Sequence, residues 1–422
     1  MGCDACANVI LKKGRAKPVL RRHPWVFSGA IHHVDGSPDD GDIVDVRDAG
    51  HNWLARGYFN RQSQIRVRLL TWDKTEEIGP DFWRLRLQRA TDARRALGLG
   101  VPGRSDPSTT AYRLTHAESD FLPGLIVDRY GDWLVAQFLT LGIDQRRDLI
   151  VAILANHLGL HGIRGIYERS DVSVRRKEGL GERTAPLWGE EPPDVVEIQE
   201  NGHRFLVDLR AGHKTGSYLD QRENRACLAH HVEDAKVLDA FSYTGGFAVH
   251  AAGSGASHIT LVDSSAPSLE LARRNLALNS PDTAGKVRDP TLLGREPRFD
   301  FLEGDVFEVL RRFRADSRSF DVIVLDPPKL AHSRGDVQAA SRAYKDMNLL
   351  ALQLVNSGGL LFTFSCSGRV SADLFQKIVF GALADTERNA QIIDRLTQGP
   401  DHPVALTFPE GAYLKGLICR VW

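Results

Sequence analysis

The chain has 422 residues, 42% hydrophobic and 26% charged, enough for two or three domains with a core in each and too apolar for wholesale disorder. Lysine plus arginine equals aspartate plus glutamate at 54 each, so net charge names no partner and only its distribution can. The apolar stretches are short or interrupted and no basic region precedes an apolar one near residue 1, so neither membrane insertion nor secretion is expected. Five scattered cysteines read as reduced thiols in a cytoplasm, and Cys3-Asp-Ala-Cys6 has no second pair at metal spacing, so no metal is expected.

Residues 1–73 alternate apolar and polar positions between Gly and Asp turns. Ile43–Val46 and Gln64–Leu70 read as strands, which predicts a small β-rich domain. From Gly79-Pro80 a helical pattern runs to about Leu97. Strands at Leu125–Asp128, Leu134–Leu139 and Gly165–Glu168, with a helix around Asp144–Leu158, predict an α+β central domain over 74–189. Its end, Arg175–Pro193, is charged and rich in Gly and Pro and reads as a linker. Residues 190–422 open with a hairpin signal, Asn201-Gly202 between Val195–Gln199 and Phe205–Leu209. Apolar strands then alternate with helical stretches: Lys236–Ala240, Ile259–Asp263, Phe299–Glu303, Val322–Leu325, Leu360–Phe364, Gln391–Arg395 and Leu417–Val421. That pattern predicts a multidomain protein ending in an α/β domain with a parallel, doubly wound sheet, whose ligands bind at the carboxyl ends of the strands.

The first of these strands continues as Asp239-Ala240-Phe241-Ser242-Tyr243-Thr244-Gly245-Gly246-Phe247 into a helix. The Gly pair lets a ligand approach backbone at the helix N-terminus. Asp239 would repel a pyrophosphate and suits a cationic group, an amine or a sulfonium. Asp263, followed by Ser264, ends the second strand, where a carboxylate takes hydrogen bonds from ribose hydroxyls. Asp305, before Val306, follows the third, within reach of an adenine amino group. Any one of these acids is also an ordinary helix cap. Three on successive strands fit an adenosyl ligand with a cationic tail: S-adenosylmethionine and not NAD. The fourth strand ends in Asp326-Pro327-Pro328-Lys329, an acid and a base on a stiff turn. The fifth ends in Phe364-Ser365-Cys366-Ser367-Gly368, which puts a thiol beside that turn. As a lone residue, Cys366 reads first as a small buried hydrophobe, and it is the neighbouring Asp326-Pro327-Pro328-Lys329 that turns the reading towards catalysis.

With these residues in hand the chain resembles the bacterial large-subunit rRNA methyltransferase I family, nearly end to end. The resemblance is carried by Arg21-Arg22-His23-Pro24-Trp25-Val26-Phe27-Ser28-Gly29, Ala55-Arg56-Gly57-Tyr58-Phe59-Asn60 and Leu122-Pro123-Gly124-Leu125-Ile126-Val127-Asp128-Arg129-Tyr130. Gly212-His213-Lys214-Thr215-Gly216-Ser217-Tyr218-Leu219-Asp220-Gln221-Arg222, His402-Pro403 and Tyr413-Leu414-Lys415-Gly416 add to it. It implies a PUA-like RNA-binding domain, a central α+β domain and a Rossmann-like class I methyltransferase domain that makes 5-methylcytosine in 23S rRNA. It implies that Tyr218, Gln221 and Arg222 flank S-adenosylmethionine. Around the cofactor it sets Asp239, Phe241, Tyr243, Thr244, Gly245, Gly246, Phe247, Asp263, Ser264, Asp305, Val306, Asp326 and Pro327. Many cytosine-5 RNA methyltransferases carry a second cysteine in the fourth-strand motif; here that position belongs to Pro-Pro-Lys. Nucleophile duty therefore falls to Cys366 alone, and the base that removes the carbon-5 proton is unassigned.

The expected catalytic residues are Cys366, Asp326 and Lys329. Carbon 5 of cytosine becomes nucleophilic once a thiolate adds to carbon 6. A protonated Asp326 would favour that addition from N3, and Lys329 would either lower the thiol pKa or meet a phosphate. For RNA, Lys12, Lys13, Arg15, Lys17, Arg21 and Arg22 occur with no acid among them, and Arg56, Arg61, Arg66 and Arg68 form a second such run. Trp25, Trp53, Tyr58 and Phe59 are interleaved and could stack on bases, although a solvated basic face with core aromatics reads the same way. Methylation of an exocyclic amino group and a non-catalytic role in ribosome assembly stay as competing functions, and a homodimer is left open.

Overall fold

A computed structural model describes residues 7–101, 108–156, 158–279, 298–331, 333 and 335–422. Cys3 and Cys6 lie outside the described residues. The chain divides into two compact units, one of residues up to Gln199 with Val207–Leu219 and Pro400–Gly411, the other of Glu200–Leu206, Asp220–Gly399 and Ala412–Trp422.

The first unit holds two sheets. In the six-stranded one the order is Trp25–Phe27, Ile65–Thr71, Trp53–Phe59, Ile43–Arg47, Asn8–Leu11, Ile31–Asp35, around a core that includes Val9, Val44, Val46, Val67 and Leu69. The five-stranded one runs Thr184–Gly189, Gly165–Arg169, Trp133–Phe138, Leu125–Tyr130, Ala111–His116. Its edge strand Thr184–Gly189 corrects the expected linker: it pairs antiparallel with Gly165–Arg169. A short, exposed edge strand needs no apolar period, so charge and proline hid it. The helix Pro80–Ala96 follows the expected bounds, with Pro at its start, Asp81 in its first turn and Arg94 and Arg95 in its last, an arrangement the helix dipole favours. The helix expected around 144–158 is two pieces, Leu141–Asp144 and Arg147–Asn156.

The hairpin forms from Val196–Glu200 and His203–Val207, with Asn201 at φ 49° and Gly202 at φ 84°, as the Asn-Gly pair requires. The second unit is built on seven strands: β1 Lys236–Ala240, β2 His258–Asp263, β3 Arg298–Glu303, β4 Phe320–Leu325, β5 Val355–Ser365, β6 Ala390–Thr397 and β7 Lys415–Val421. Their order is β3-β2-β1-β4-β5-β7-β6. The first five are parallel, but β7 runs antiparallel to both β5 and β6, which corrects the expected all-parallel sheet. The chain re-enters the sheet from the end at which β6 leaves it, without a crossover, so β7 runs opposite to β6.

Leu238, Ala240, Ile323, Leu325 and Leu361 are buried in the sheet's core, as strands covered on both faces must be. Ser265, Asp305 and Ser371 cap the helices Ala266–Leu278, Val306–Ala315 and Ala372–Ala384 through the backbone N–H groups of Ser268, Glu308 and Leu374. Each cap fixes where a strand-end loop stops and its helix begins. No described helix is long and apolar enough to cross a membrane, and no cluster of metal-ligating side chains occurs among the described residues.

Candidate active site

Polar groups gather where β1 to β5 end. Asp239 is 1% exposed. Its Oδ2 accepts the backbone N–H of Ala248 at 3.1 Å, and among the described residues its Oδ1 has no partner. Burial, aided by the charges of Asp326 and Asp263, pushes its carboxyl up to about 7 against the Ala248 bond and Arg225. A buried carboxylate with a vacant oxygen is costly unless a cation or donor arrives. Gln221 Nε2 and Ser242 Oγ are also buried and unpartnered among the described residues.

The loop after β1 is held in an uncommon shape. Phe241, Tyr243 and Gly245 have φ of 64°, 47° and 76°, and a Cβ on Gly245 would stand 3.0 Å from that of Ala272. Two non-glycine residues in the left-handed region persist only where the surroundings over-determine them. One such constraint is Asp263, whose carboxylate accepts the N–H groups of Tyr243 at 2.8 Å and Ser265 at 2.9 Å. It thus ties the β1 loop to the β2 loop. Ser264 is exposed and Thr244 half-buried. The Phe247 ring is buried 5.7 Å from Phe364 and Val306 is buried, so what these two offer a ligand is backbone. Asp305 is exposed and serves as a cap. Arg222 is buried and bonds Glu223 at 2.9 Å. Tyr218 lies in the first unit with Lys214 Nζ 4.4 Å from its ring centre.

Arg225 escaped the sequence reading. It is buried, makes two 2.6 Å bonds to Glu200, and its Cδ lies 2.9 Å from where a Cβ on Gly246 would stand. Burial alone would raise the Glu200 carboxyl, but Arg225 and the hydrogen bond with His250 hold it below the usual range. The helix Arg222–Ala229 buries Arg222, Asn224, Arg225 and Leu228, so it offers no apolar period by which to see it.

Beyond β4, Asp326 is half-buried, Pro327 buried, and Pro328 and Lys329 exposed. Cys366 is half-buried directly after β5. Ser365 Oγ and Ser367 Oγ lie 3.0 and 3.2 Å from the Tyr344 hydroxyl. Ser367 Oγ also accepts the N–H of Ala331 at 3.2 Å, which ties the two loops together. The other described cysteines stand apart: Cys227 in the helix Arg222–Ala229, its thiol raised by burial, and Cys419 in β7, pushed up to about 11 by burial.

The first basic run is at the surface: Lys12, Lys13, Arg15, Lys17, Arg21 and Arg22 are all exposed. The second is not a phosphate-facing row. Arg56 is buried against Asp45 at 2.8 Å. Arg68 is 8% exposed and bonds Glu118 and Glu178, each at 2.9 Å. Arg66 is half-buried. Tyr58 and Phe59 are in the core rather than available to bases, with the Tyr58 hydroxyl donating to the Pro123 carbonyl at 2.6 Å. Alternation along a strand puts Arg56 and Arg68 where buried carboxylates pair with them.

A buried acid at the first strand, with one oxygen unpartnered among the described residues, is the opposite of what a dinucleotide pyrophosphate needs, and β7 between β5 and β6 sets this sheet apart from an all-parallel nucleotide fold. Fold and site together define a Rossmann-like, S-adenosylmethionine-dependent methyltransferase. The family described as S-adenosylmethionine-dependent methyltransferase matches residues 178–420, and the PUA-like domain family matches 9–72. Ribosomal RNA large subunit methyltransferase I of Aeromonas hydrophila is 48% identical over 98% of this chain and 99% of its own length. The protein of that name from Escherichia coli is 44% identical over 98% and 99%. The chain belongs to the ribosomal RNA large subunit methyltransferase I family. Two solved structures share its fold at 24% identity, one from Streptococcus mutans (TM-score 0.79) and one methyltransferase complexed with SAH (TM-score 0.81), each covering 98% of this chain and 99% of that one.

Proposed function

We propose that the protein methylates carbon 5 of a cytosine in 23S ribosomal RNA, with Cys366 as the nucleophile. The observation that carries this reading is a half-buried thiol on the strand-end rim, braced by Tyr344 through both flanking serines. Transfer to an amino nitrogen has no use for a thiol.

S-adenosylmethionine supplies an electrophilic methyl group. Asp239 would hold its ammonium, Gln221 and Ser242 would donate to its polar tail, and Asp263 and Asp305 would meet its ribose and adenine; the buried atoms of the first three that have no partner among the described residues support that assignment. The Cys366 thiolate adds to carbon 6, and the electron pair moves to carbon 5. Asp326, protonated, donates to N3 during that addition. Loss of the carbon-5 proton after methylation expels the thiolate and restores the ring. Lys329, being exposed, suits a phosphate better than the thiol. The domain boundaries we favour are 1–73, 74–189 and 190–422, with RNA gripped by the exposed run from Lys12 to Arg22.

The Asp239 assignment has a pH signature. Its carboxyl is raised to about 7 without ligand, and a bound ammonium would pull it down again. Binding below that pH must therefore release a proton, so cofactor affinity should fall by up to about tenfold per pH unit from pH 7 downwards. Asp239→Asn should bind weakly and without that slope. Calorimetric titration checks both; a flat wild-type profile would remove Asp239 from the site.

The product decides the reaction. Large-subunit rRNA lacking the modification, incubated with the protein and isotopically labelled cofactor, should yield labelled 5-methylcytidine on nucleoside mass spectrometry. Label in an N-methylated guanosine or cytidine would replace this reading with amino methylation, and no label in any nucleoside would favour a non-catalytic role.

A further inference from the structure

The Cys366 loop has a cation that the reaction as described leaves unused. Lys415 opens β7 and is the antiparallel partner of Ser365, the last residue of β5. That register sets it one position from the thiol. Its Nζ donates to the carbonyls of Ser367 and Val370, both at 2.7 Å, so it clamps the turn Ser367–Val370 that begins directly after Cys366. An ammonium has three donors, and two are spent on the loop.

The group is only partly exposed. Burial lowers its pKa to about 8, and interaction with the Cys366 charge opposes that fall. Two other ionisable groups belong to the cluster. Tyr344 comes from the helix Val337–Leu354, and Asp326, from the β4 loop, interacts with the same tyrosine. Both are anionic when charged, so neither offers a thiolate a positive charge. A surface lysine serving only the fold would have little reason to lose water for two carbonyls beside a cysteine.

We propose that Lys415 is a positioning residue for methyl transfer, holding the Cys366 loop by two carbonyls and stabilising the Cys366 thiolate with its ammonium. The proposal rests on the reading of Cys366 as nucleophile. In the addition, the thiol proton leaves to solvent, the sulfur lone pair forms the bond to carbon 6, and the ring electron pair moves to carbon 5. In the elimination the S–C bond returns its electrons to sulfur. Lys415 remains protonated throughout and steadies sulfur as it departs and as it returns.

The test is the pH dependence of Cys366 alkylation by iodoacetamide, followed in the full-length protein by mass spectrometry of the Cys366 peptide. In wild type the inflection should lie below that of an unperturbed thiol, about 8.5. Lys415→Met should raise it by about one pH unit, so that alkylation near neutral pH slows about tenfold. Lys415→Arg should restore most of the difference, and Cys227 should react alike in all three. Methyl transfer should follow the same order in kcat with an unchanged KM for the cofactor. An unshifted inflection in a folded Lys415→Met variant would overturn the proposal. A wild-type inflection at or above the ordinary value would overturn it without any variant, which covers the case in which Lys415→Met does not fold. The underlying reading fails separately: it falls if Cys366→Ala still methylates, whatever the alkylation profile shows.

Discussion

Cys366→Ala should abolish methyl transfer and leave S-adenosylmethionine affinity at the wild-type level. The expectation follows from the division of labour at the strand ends. The groups assigned to the cofactor sit at or just beyond the ends of β1, β2 and β3 and in Gln221, whereas Cys366 follows β5. No substitute thiol lies on this rim among the described residues: Cys227 is in a helix, and Cys419 is buried in β7. If Cys366 only fills space, its Ala variant should lose about 1–3 kcal/mol of stability and still methylate wherever it is folded. RNA carrying 5-fluorocytosine at the target separates these outcomes, because fluorine cannot leave carbon 5 as a proton does. Wild type with cofactor should form an adduct that survives a denaturing gel, and Cys366→Ala should not. Wild type that methylates ordinary RNA yet never traps the fluorinated one would rule out thiol addition.

Arg68→Ala and the pair Lys12→Ala/Arg22→Ala should have opposite consequences, although all three residues are basic and lie in the same small domain. Arg68 is buried between Glu118 and Glu178, and Glu178 also takes hydrogen bonds from Ser63 and Asn60. Removing the guanidinium strands two buried carboxylates, which typically costs about 3–5 kcal/mol. Stability to urea should fall by that order, and the salt dependence of RNA binding by the folded variant should not change. Lys12 and Arg22 are exposed. Their loss should leave urea stability within about 0.5 kcal/mol and flatten the slope of log affinity against log salt by about two. A double variant with the wild-type slope would mean that the exposed run does not meet phosphates.

The contrast between those residues also explains where a reading of the sequence stops. Strand positions in the C-terminal half were legible to within two residues, except that β5 starts at Val355 and not Leu360, because short apolar runs bounded by Gly, Asp and Pro are local signals. Asp239, Asp263, Asp305, Asp326 and Cys366 were legible as candidates for the same reason: each lies within two residues of a strand's carboxyl end, and those ends in such a sheet face one edge. The β7 direction was not, since an apolar run looks the same in either orientation. Nor was the strand Thr184–Gly189, a short and largely exposed edge strand with a proline in it and no buried residue.

By itself the sequence determined the multidomain plan, the succession of elements along the α/β half and the set of acids and the thiol at its strand ends, all properties of spacing within a few residues. Only the tertiary structure decided which charged groups are available and which are committed. Arg56 and Arg68 read like Arg22 until the strands pair and carry them to Asp45, Glu118 and Glu178. Arg225 acquires its place under Gly246 from Glu200, and Lys415 reaches the Cys366 loop only because β7 inserts beside β5. A charge far apart in sequence finds its partner through the fold, and the cost of burying it unpaired is a sum over neighbours that no local pattern encodes.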